Sequence, residues 1–160
     1  MNAAHFHLAV NHLPIIIPIV GVLVLVAGLA FKSPAVKRTA YVIFAVGAIT
    51  SGVAMNSGEN AEDFVGTTPG FDEVYIERHE ESAEVFATLT YVLAGLSLVA
   101  LWADVKKIKG LNAAGFVVLG FSLIAIYFAK DAGTTGGEIR HPEIRSGVSA
   151  QPVDKEEHNH

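Results

Sequence analysis

Cysteine is absent from all 160 residues of this chain, and charged residues are scarce. Without cysteine there is no disulfide, no thiolate metal site, no iron–sulfur cluster and no c-type haem attachment. Charged residues make up 17% of the chain, against roughly 25% in soluble domains. Lysine and arginine form no basic surface of the kind that binds nucleic acid. Any metal or haem would therefore depend on histidine, methionine, carboxylate or tyrosine.

Apolar sequence, by contrast, is abundant and is gathered in four stretches without internal charges. A membrane-spanning helix needs about 20 predominantly apolar residues. Stretches of this kind run from about 13 to 31, 40 to 55, 86 to 102 and 111 to 129. A buried helix of a soluble protein can resemble one such stretch, but not four in succession. The sequence therefore predicts an all-α fold, a four-helix transmembrane bundle.

The first apolar stretch could also belong to a secretory signal. Residues 1–12 contain no lysine or arginine, whereas a signal peptide carries positive charge at this place. Its apolar run is also longer than the core of a typical signal. We therefore predict a retained helix, a single transmembrane domain over residues 1–146 and a flexible polar tail over residues 147–160.

The basic residues of the short connections predict the orientation of the bundle. Three follow the first apolar stretch and three follow the third: Lys32, Lys37 and Arg38, then Lys106, Lys107 and Lys109. The connection over residues 56–79, a predicted long outer loop, carries a single basic residue, Arg78, among several carboxylates. Because cytoplasmic loops are enriched in lysine and arginine, the two basic turns are predicted to be cytoplasmic. The result is two helical hairpins, N-out and C-out, in a multi-pass protein of a bacterial inner membrane.

A weak internal repeat relates the two predicted hairpins. His12 precedes the first helix of one hairpin and His79 precedes the first helix of the other. The second helix of each is followed by a similar tripeptide, SGE at Ser57–Glu59 and GGE at Gly136–Glu138. Both hairpins start on the same side, so the repeat is parallel. It would bring the two histidines to matching depths on facing helices.

Histidines and carboxylates from four separate segments converge on the predicted outer end of the bundle. Two histidines on different helices can hold a haem. We predict His12 and His79 as its axial ligands, with His7 and His141 as substitutes or as residues that orient the ligands. The alternative is that these histidines are polar caps near helix ends. The residues predicted to orient the ligands or to pair with haem propionates are Glu59, Glu80, Glu84, Arg78 and Arg140.

Carboxylates beside histidines also permit a divalent metal site. Glu138 and His141 have the Glu-x-x-His spacing of carboxylate-bridged metal sites. They follow Gly-Gly and precede Pro142, so this motif is predicted to lie outside a helix. With His12 and His79, these two residues make up the predicted metal ligands.

The opening and closing motifs resemble those of a known family. HLAVNHLPI, His7 to Ile15, resembles the HPxxVHFPI opening of a widespread bacterial family of four-helix membrane proteins designated a domain of unknown function. GGEIRH, Gly136 to His141, resembles its closing GGELVYRHG. This chain departs from the pattern at Leu8, which replaces a proline, and in a final spacing shorter by two residues. The resemblance implies a four-helix fold, a haem- or metal-binding role in redox settings, and His7, His12, Gly136, Gly137, Glu138 and His141 as its marked positions.

The leading interpretation is an integral membrane protein that binds haem b, or a divalent metal, near its outer periplasmic face and serves bacterial electron transfer. The alternative is a structural or assembly subunit of a larger membrane complex, without a cofactor of its own. An enzyme acting alone has no nucleophile motif to support it, and uncharged helix interiors disfavour a transporter. The expected partners are the lipid bilayer and a respiratory or redox complex or further copies of the chain, with no nucleic acid.

Overall fold

Helices account for nearly all of the computed structural model, which describes residues 2–65, 71–108 and 113–145. The elements are α1 (Ala3–Val10), α2 (Leu13–Ala30), α3 (Pro34–Val65), α4 (Glu73–Val105), α5 (Ala114–Arg140) and a 3-10 turn, Pro142–Ile144. No strand occurs in these described ranges, so the predicted all-α class is confirmed. The tail predicted to be flexible, residues 147–160, lies outside them.

Four helical segments are long and apolar enough to cross a membrane. They are Ala3–Ala30, which comprises α1 and α2, then Pro34–Glu62, Glu73–Val105 and Ala114–Arg140. Large apolar side chains also cover the outside of the bundle, where Leu23, Ile49 and Phe116 are each about two-thirds exposed. A continuous apolar exterior of this kind is unfavourable in water and favourable in lipid. These features agree with the predicted multi-pass membrane protein.

Each long helix packs against the next along the chain, and α2 also packs against α5. A glycine allows α2 and α3 to approach closely, since a Cβ on Gly28 would lie 2.8 Å from the backbone nitrogen of Lys37. Small residues at such crossings let backbones come together and increase van der Waals contact. The interior between the helices is filled mainly by Leu25, Tyr41, Phe44, Leu93 and Val118.

A break at Asn11 and His12 separates α1 from α2. Pro14 is the second residue of α2. Its ring would clash with the carbonyl four residues earlier and it has no N–H to donate, so α1 cannot run straight into α2. α1 packs against α3, and His7 lies against the C-terminal part of α3.

The polar connection predicted as a loop over residues 56–79 is largely helical. α3 runs on to Val65, and α4 begins at Glu73 after Asp72, whose side chain accepts the N–H of Val74 at 3.2 Å. α3 has 32 residues, about 48 Å at 1.5 Å per residue, whereas the hydrocarbon core is about 30 Å thick. α5 likewise continues past its apolar stretch to Arg140. We call these helix extensions, together with α1, the polar end of the bundle (residues 3–10, 56–65, 73–84 and 130–140).

Candidate functional site

His7 of α1 lies against the extension of α3. Its Nδ1 is 3.0 Å from the Oγ of Ser57, and the backbone of Ala54 is a further hydrogen-bonding neighbour. The ring rests on Gly58, where a Cβ would lie 3.4 Å from its Cε1. The Ser57 hydroxyl donates its proton to the carbonyl oxygen of Ala54 at 2.9 Å. If the one proton of the hydroxyl goes to that carbonyl, its oxygen accepts from the imidazole, and the proton of His7 is then on Nδ1.

His79 of α4 lies against α5 in the same manner. Its Nδ1 is 3.2 Å from the Oγ1 of Thr135, and the backbone of Ala132 is a further neighbour. The ring rests on Gly136, where a Cβ would lie 3.0 Å from its Cε1. The Thr135 hydroxyl donates to the carbonyl oxygen of Asp131 at 2.9 Å. The Oγ of Ser82 also lies 2.6 Å from this hydroxyl, and either group can be the donor there. If the Thr135 proton goes to one of these oxygens, the hydroxyl accepts from the imidazole, and the proton of His79 is then on Nδ1.

The two arrangements are similar in their contacts and in their positions along the chain, although among the described residues only Thr135 has a further hydroxyl partner, Ser82, at 2.6 Å. His79 follows His7 by 72 positions, and each partner on α5 follows its counterpart on α3 by 78 (Ala54 and Ala132, Ser57 and Thr135, Gly58 and Gly136). The residues that make these two contacts are not those of the repeat predicted from the sequence. His7 rather than His12 corresponds to His79, and Ser57 corresponds to Thr135 rather than to Gly136.

The two imidazoles are electrostatic neighbours at the polar end of the bundle. With Nδ1 of His7 and of His79 donating to a hydroxyl, the opposite nitrogen, Nε2, carries a lone pair. Histidines that ligate metals almost always have the other ring nitrogen fixed by a hydrogen bond of this kind, which sets the tautomer and the ring orientation. The arrangement can present two oriented nitrogen ligands.

Arginines join the end of α5 to the start of α4 beside these histidines. Glu138, only 3% exposed, accepts a hydrogen bond from Nη1 of Arg78 at 3.1 Å. Arg145 donates through Nε to the backbone carbonyl oxygen of Glu138 at 2.8 Å and lies over the ring of Tyr75. Glu138 is within α5, not in the irregular segment predicted for it. Its carboxylate neutralises Arg78 instead of facing His141.

Three other predicted site residues lie apart from the paired histidines. His12 is exposed at the break between α1 and α2. His141 ends α5, and its Nδ1 is 2.8 Å from Oε1 of Glu143 at the surface. The backbone N–H of Glu143 and the imidazole of His141 lower the pKa of the Glu143 carboxyl. Arg140 lies over the ring of Phe71, with 4.7 Å between its guanidinium carbon and the ring centroid.

The predicted carboxylates form an acidic surface between α3 and α4. Glu80 interacts electrostatically with Glu62 and Glu59 on α3 and with Glu84 on its own helix, and all four are exposed. Within residues 2–65, 71–108 and 113–145, no group of three histidines or carboxylates is placed to hold a metal ion. These carboxylates are thus solvated, mutually repelling charges.

Ser57 and Thr135 were not predicted as site residues. A signal for them exists in the sequence, since Ala-x-x-Ser-Gly at residues 54–58 recurs as Ala-x-x-Thr-Gly at residues 132–136. The pattern is made of small, common residues, so it is recognisable only once the histidine contacts are known.

No family model, curated protein or solved structure matches this chain. The resemblance of its opening and closing motifs to a four-helix family therefore remains an expectation. Its function has to be argued from the arrangement of its own residues.

Proposed function

We propose that this protein binds haem b between His7 and His79 in a bacterial inner membrane and takes part in electron transfer. The observation that carries the proposal is the repeated arrangement at the polar end, in which Nδ1 of each imidazole contacts a hydroxyl of the facing helix, which makes Nε2 the nitrogen that would ligate a metal. Axial ligation by two histidines is an established way of holding a haem in a helical bundle. His79 keeps the ligand role predicted from the sequence, while His7 takes the place predicted for His12.

Only two of the described histidines contact a hydroxyl of a facing helix through Nδ1, and this number of candidate ligands favours haem over a divalent ion. Zinc sites use three or four protein ligands, and no third histidine or carboxylate joins His7 and His79 in the described part of the chain. Haem iron needs only its axial positions filled by the protein, because the macrocycle supplies the equatorial nitrogens. Two oriented imidazoles therefore match what a haem requires.

When bound, the haem would supply one-electron chemistry, and the protein's own residues have other tasks. Ser57 and Thr135 fix the orientation of the two imidazoles and raise the electron density at Nε2 by accepting from Nδ1–H. Arg78 neutralises the buried Glu138, which keeps an uncompensated negative charge away from His79. Gly136 leaves room for the ring of His79 to lie close to α5, since a Cβ there would lie 3.0 Å from its Cε1.

The opposite end of the bundle supports an outer location for this site. There Asp104, at the end of α4, accepts from Lys37 Nζ at 3.2 Å and from Arg38 Nε at 2.6 Å. The lysine-rich turns are thereby gathered at one end, and the paired histidines lie at the other. By the positive-inside rule, the basic end is cytoplasmic. Both hairpins would then start and finish on the periplasmic side.

Visible absorption spectra of the oxidised and reduced protein, purified from cells supplied with haem, test this proposal. We expect sharp α and β bands on reduction and about one haem per chain. His7→Ala and His79→Ala should each abolish the bands, while circular dichroism shows that the helices persist. His12→Ala is the matched control, because His12 is exposed, and it should keep the wild-type spectrum.

Other results would point to other functions. A colourless protein with stoichiometric metal would indicate that the site binds a divalent ion instead of haem. A colourless, metal-free protein would favour a structural or assembly subunit. Loss of haem in His12→Ala with retention in His7→Ala would restore the ligand predicted from the sequence and refute the assignment of His7.

A further inference from the structure

A cavity of about 320 Å³ opens at the basic end of the bundle, between α3, α4 and the start of α5. This volume is at the lower end of the roughly 300–1,000 Å³ found for small-molecule sites. Among the described residues, Lys37, Arg38 and Lys107 line it together with a single carboxylate, Asp104. Three cations and one anion leave a formal charge of plus two, so the cavity favours an anionic ligand.

Two of the three cations of this cavity, Lys37 and Arg38, are held in place before any ligand arrives. Asp104 accepts from Lys37 and from Arg38 through its carboxylate, and its backbone carbonyl accepts from Nη2 of Arg38 at 3.2 Å. The Lys37 and Arg38 side chains are only 20% and 38% exposed. Nη1 of Arg38 donates to no acceptor within the described ranges. Partly buried, oriented donors of this kind bind phosphate more strongly than mobile surface lysines.

The surroundings of the cavity are those of a lipid headgroup rather than of a free anion. Its walls include apolar residues of all three helices, among them Tyr41, Ala100 and Gly115. On α4 beside it, Trp102 and Val105 are 56% and 53% exposed and continue the apolar outer surface of the bundle. A phosphate in the cavity could thus keep its acyl chains in contact with that surface. Basic pockets between membrane helices on the cytoplasmic side bind anionic lipid headgroups in this way.

We infer that this cavity binds the phosphate of an anionic phospholipid, held by Lys37, Arg38 and Lys107. The inference rests on the membrane orientation proposed above but not on the haem site, which lies at the other end of the bundle. It would fix the depth and rotation of α3 and α4 in the inner leaflet.

Two lysines with the same backbone geometry provide the test. Lys107 has φ 54° and Lys32 has φ 52°, and each ends a helix in the left-handed conformation that favours glycine. Both lie in a similar turn, in which the backbone N–H of the next residue donates to a carbonyl oxygen of the preceding helix. The distances are 3.0 Å from Ile108 to Ala103 and 2.9 Å from Ser33 to Gly28. Only Lys107 lines the cavity. Lys107→Gly and Lys32→Gly therefore remove the same charge and the same backbone strain, but only the first changes the cavity.

The experiment is native mass spectrometry of the full-length protein titrated with phosphatidylglycerol, phosphatidylcholine or inorganic phosphate. We expect phosphatidylglycerol to bind in preference to phosphatidylcholine. Lys107→Gly should weaken that binding roughly fivefold, the effect of one lysine at a membrane surface, while Lys32→Gly leaves it unchanged. Both variants should be at least as heat-stable as the wild type, so misfolding would not explain a loss.

Several results would overturn the inference. Equal losses in the two variants would show general attraction to basic residues, and no loss in either would show that the cavity is not used. A lack of preference between the two lipids would exclude recognition of anionic headgroups. Binding of inorganic phosphate as tight as that of phosphatidylglycerol would make the free anion the ligand and exclude the lipid.

Discussion

Removal of Arg78 should destabilise the polar end of the bundle by leaving a buried charge without a partner. Glu138 has a side chain only 4% exposed, whereas that of Arg78 is 56% exposed, and 3.1 Å separates the two groups. Breaking a fully buried ion pair costs about 3–5 kcal/mol, and an exposed pair contributes about 0–1 kcal/mol. With one partner buried and the other half in water, Arg78→Ala should lower the free energy of unfolding by about 2 kcal/mol.

The second change in this prediction separates a buried charge from lost packing. Glu138→Gln removes the charge but keeps the shape, so the double variant Arg78→Ala with Glu138→Gln should recover more than half of the loss. The free energy of unfolding of Arg78→Ala, Glu138→Gln and the double variant is measured by SDS titration in mixed micelles. A double variant no more stable than Arg78→Ala alone would refute the reasoning, since the loss would then come from contacts of the arginine side chain and not from the unpaired carboxylate.

Three further predictions concern single positions. Alanine in a helix is favoured over glycine by up to about 1 kcal/mol, so Gly58→Ala should stabilise the protein, because its Cβ would lie 3.4 Å from Cε1 of His7. Gly136→Ala should not, because its Cβ would lie only 3.0 Å from Cε1 of His79. Equal free energies of unfolding in SDS for the two variants would contradict this prediction. Ser97→Ala should raise the unfolding energy by about 1 kcal/mol, since the buried Ser97 hydroxyl has no hydrogen-bond partner among the described residues, and a loss of stability would contradict it. The pKa of the Glu143 carboxyl is lowered, so the ionised carboxylate should stabilise the fold above the ordinary carboxyl pKa, and this effect should be lost as the pH falls through the lowered value. The pKa of Glu143 can be measured by carbon-13 NMR titration. If His141→Ala leaves it unchanged, the role of the imidazole is refuted.

The membrane-spanning parts of the fold were predictable because uncharged apolar runs have few other stable locations. The helix ends were not. Glu59, Asn60 and Glu62 follow the second apolar run, and polar residues there were interpreted as a loop, although α3 continues through them. A change from apolar to polar sequence marks the limit of the lipid-facing surface, not the end of hydrogen bonding along the helix. The same applies to α5, where Gly136 and Gly137 suggested a turn inside what is a continuous helix.

The candidate site was only partly predictable for a related reason. The sequence identified His7 and His79 among several histidines but ranked His12 above His7. Pro14 interrupts the helix at Asn11 and His12, where His12 is exposed, while α1 packs against α3. Which histidine faces the bundle thus depends on the packing of a short helix, and spacing along the chain carries too little information to decide it.

Each half of the chain contains the partner of its own histidine, which has a consequence for biosynthesis. His7 and Ser57 are both made before α4 emerges from the ribosome, and His79 and Thr135 both belong to the helices that follow. Each imidazole can reach its hydroxyl partner once the helices of its own half of the chain are in place, before the other half has folded. The order of synthesis then leaves one late event, the docking of α3 and α2 against α4 and α5, as the step that creates a two-histidine pair.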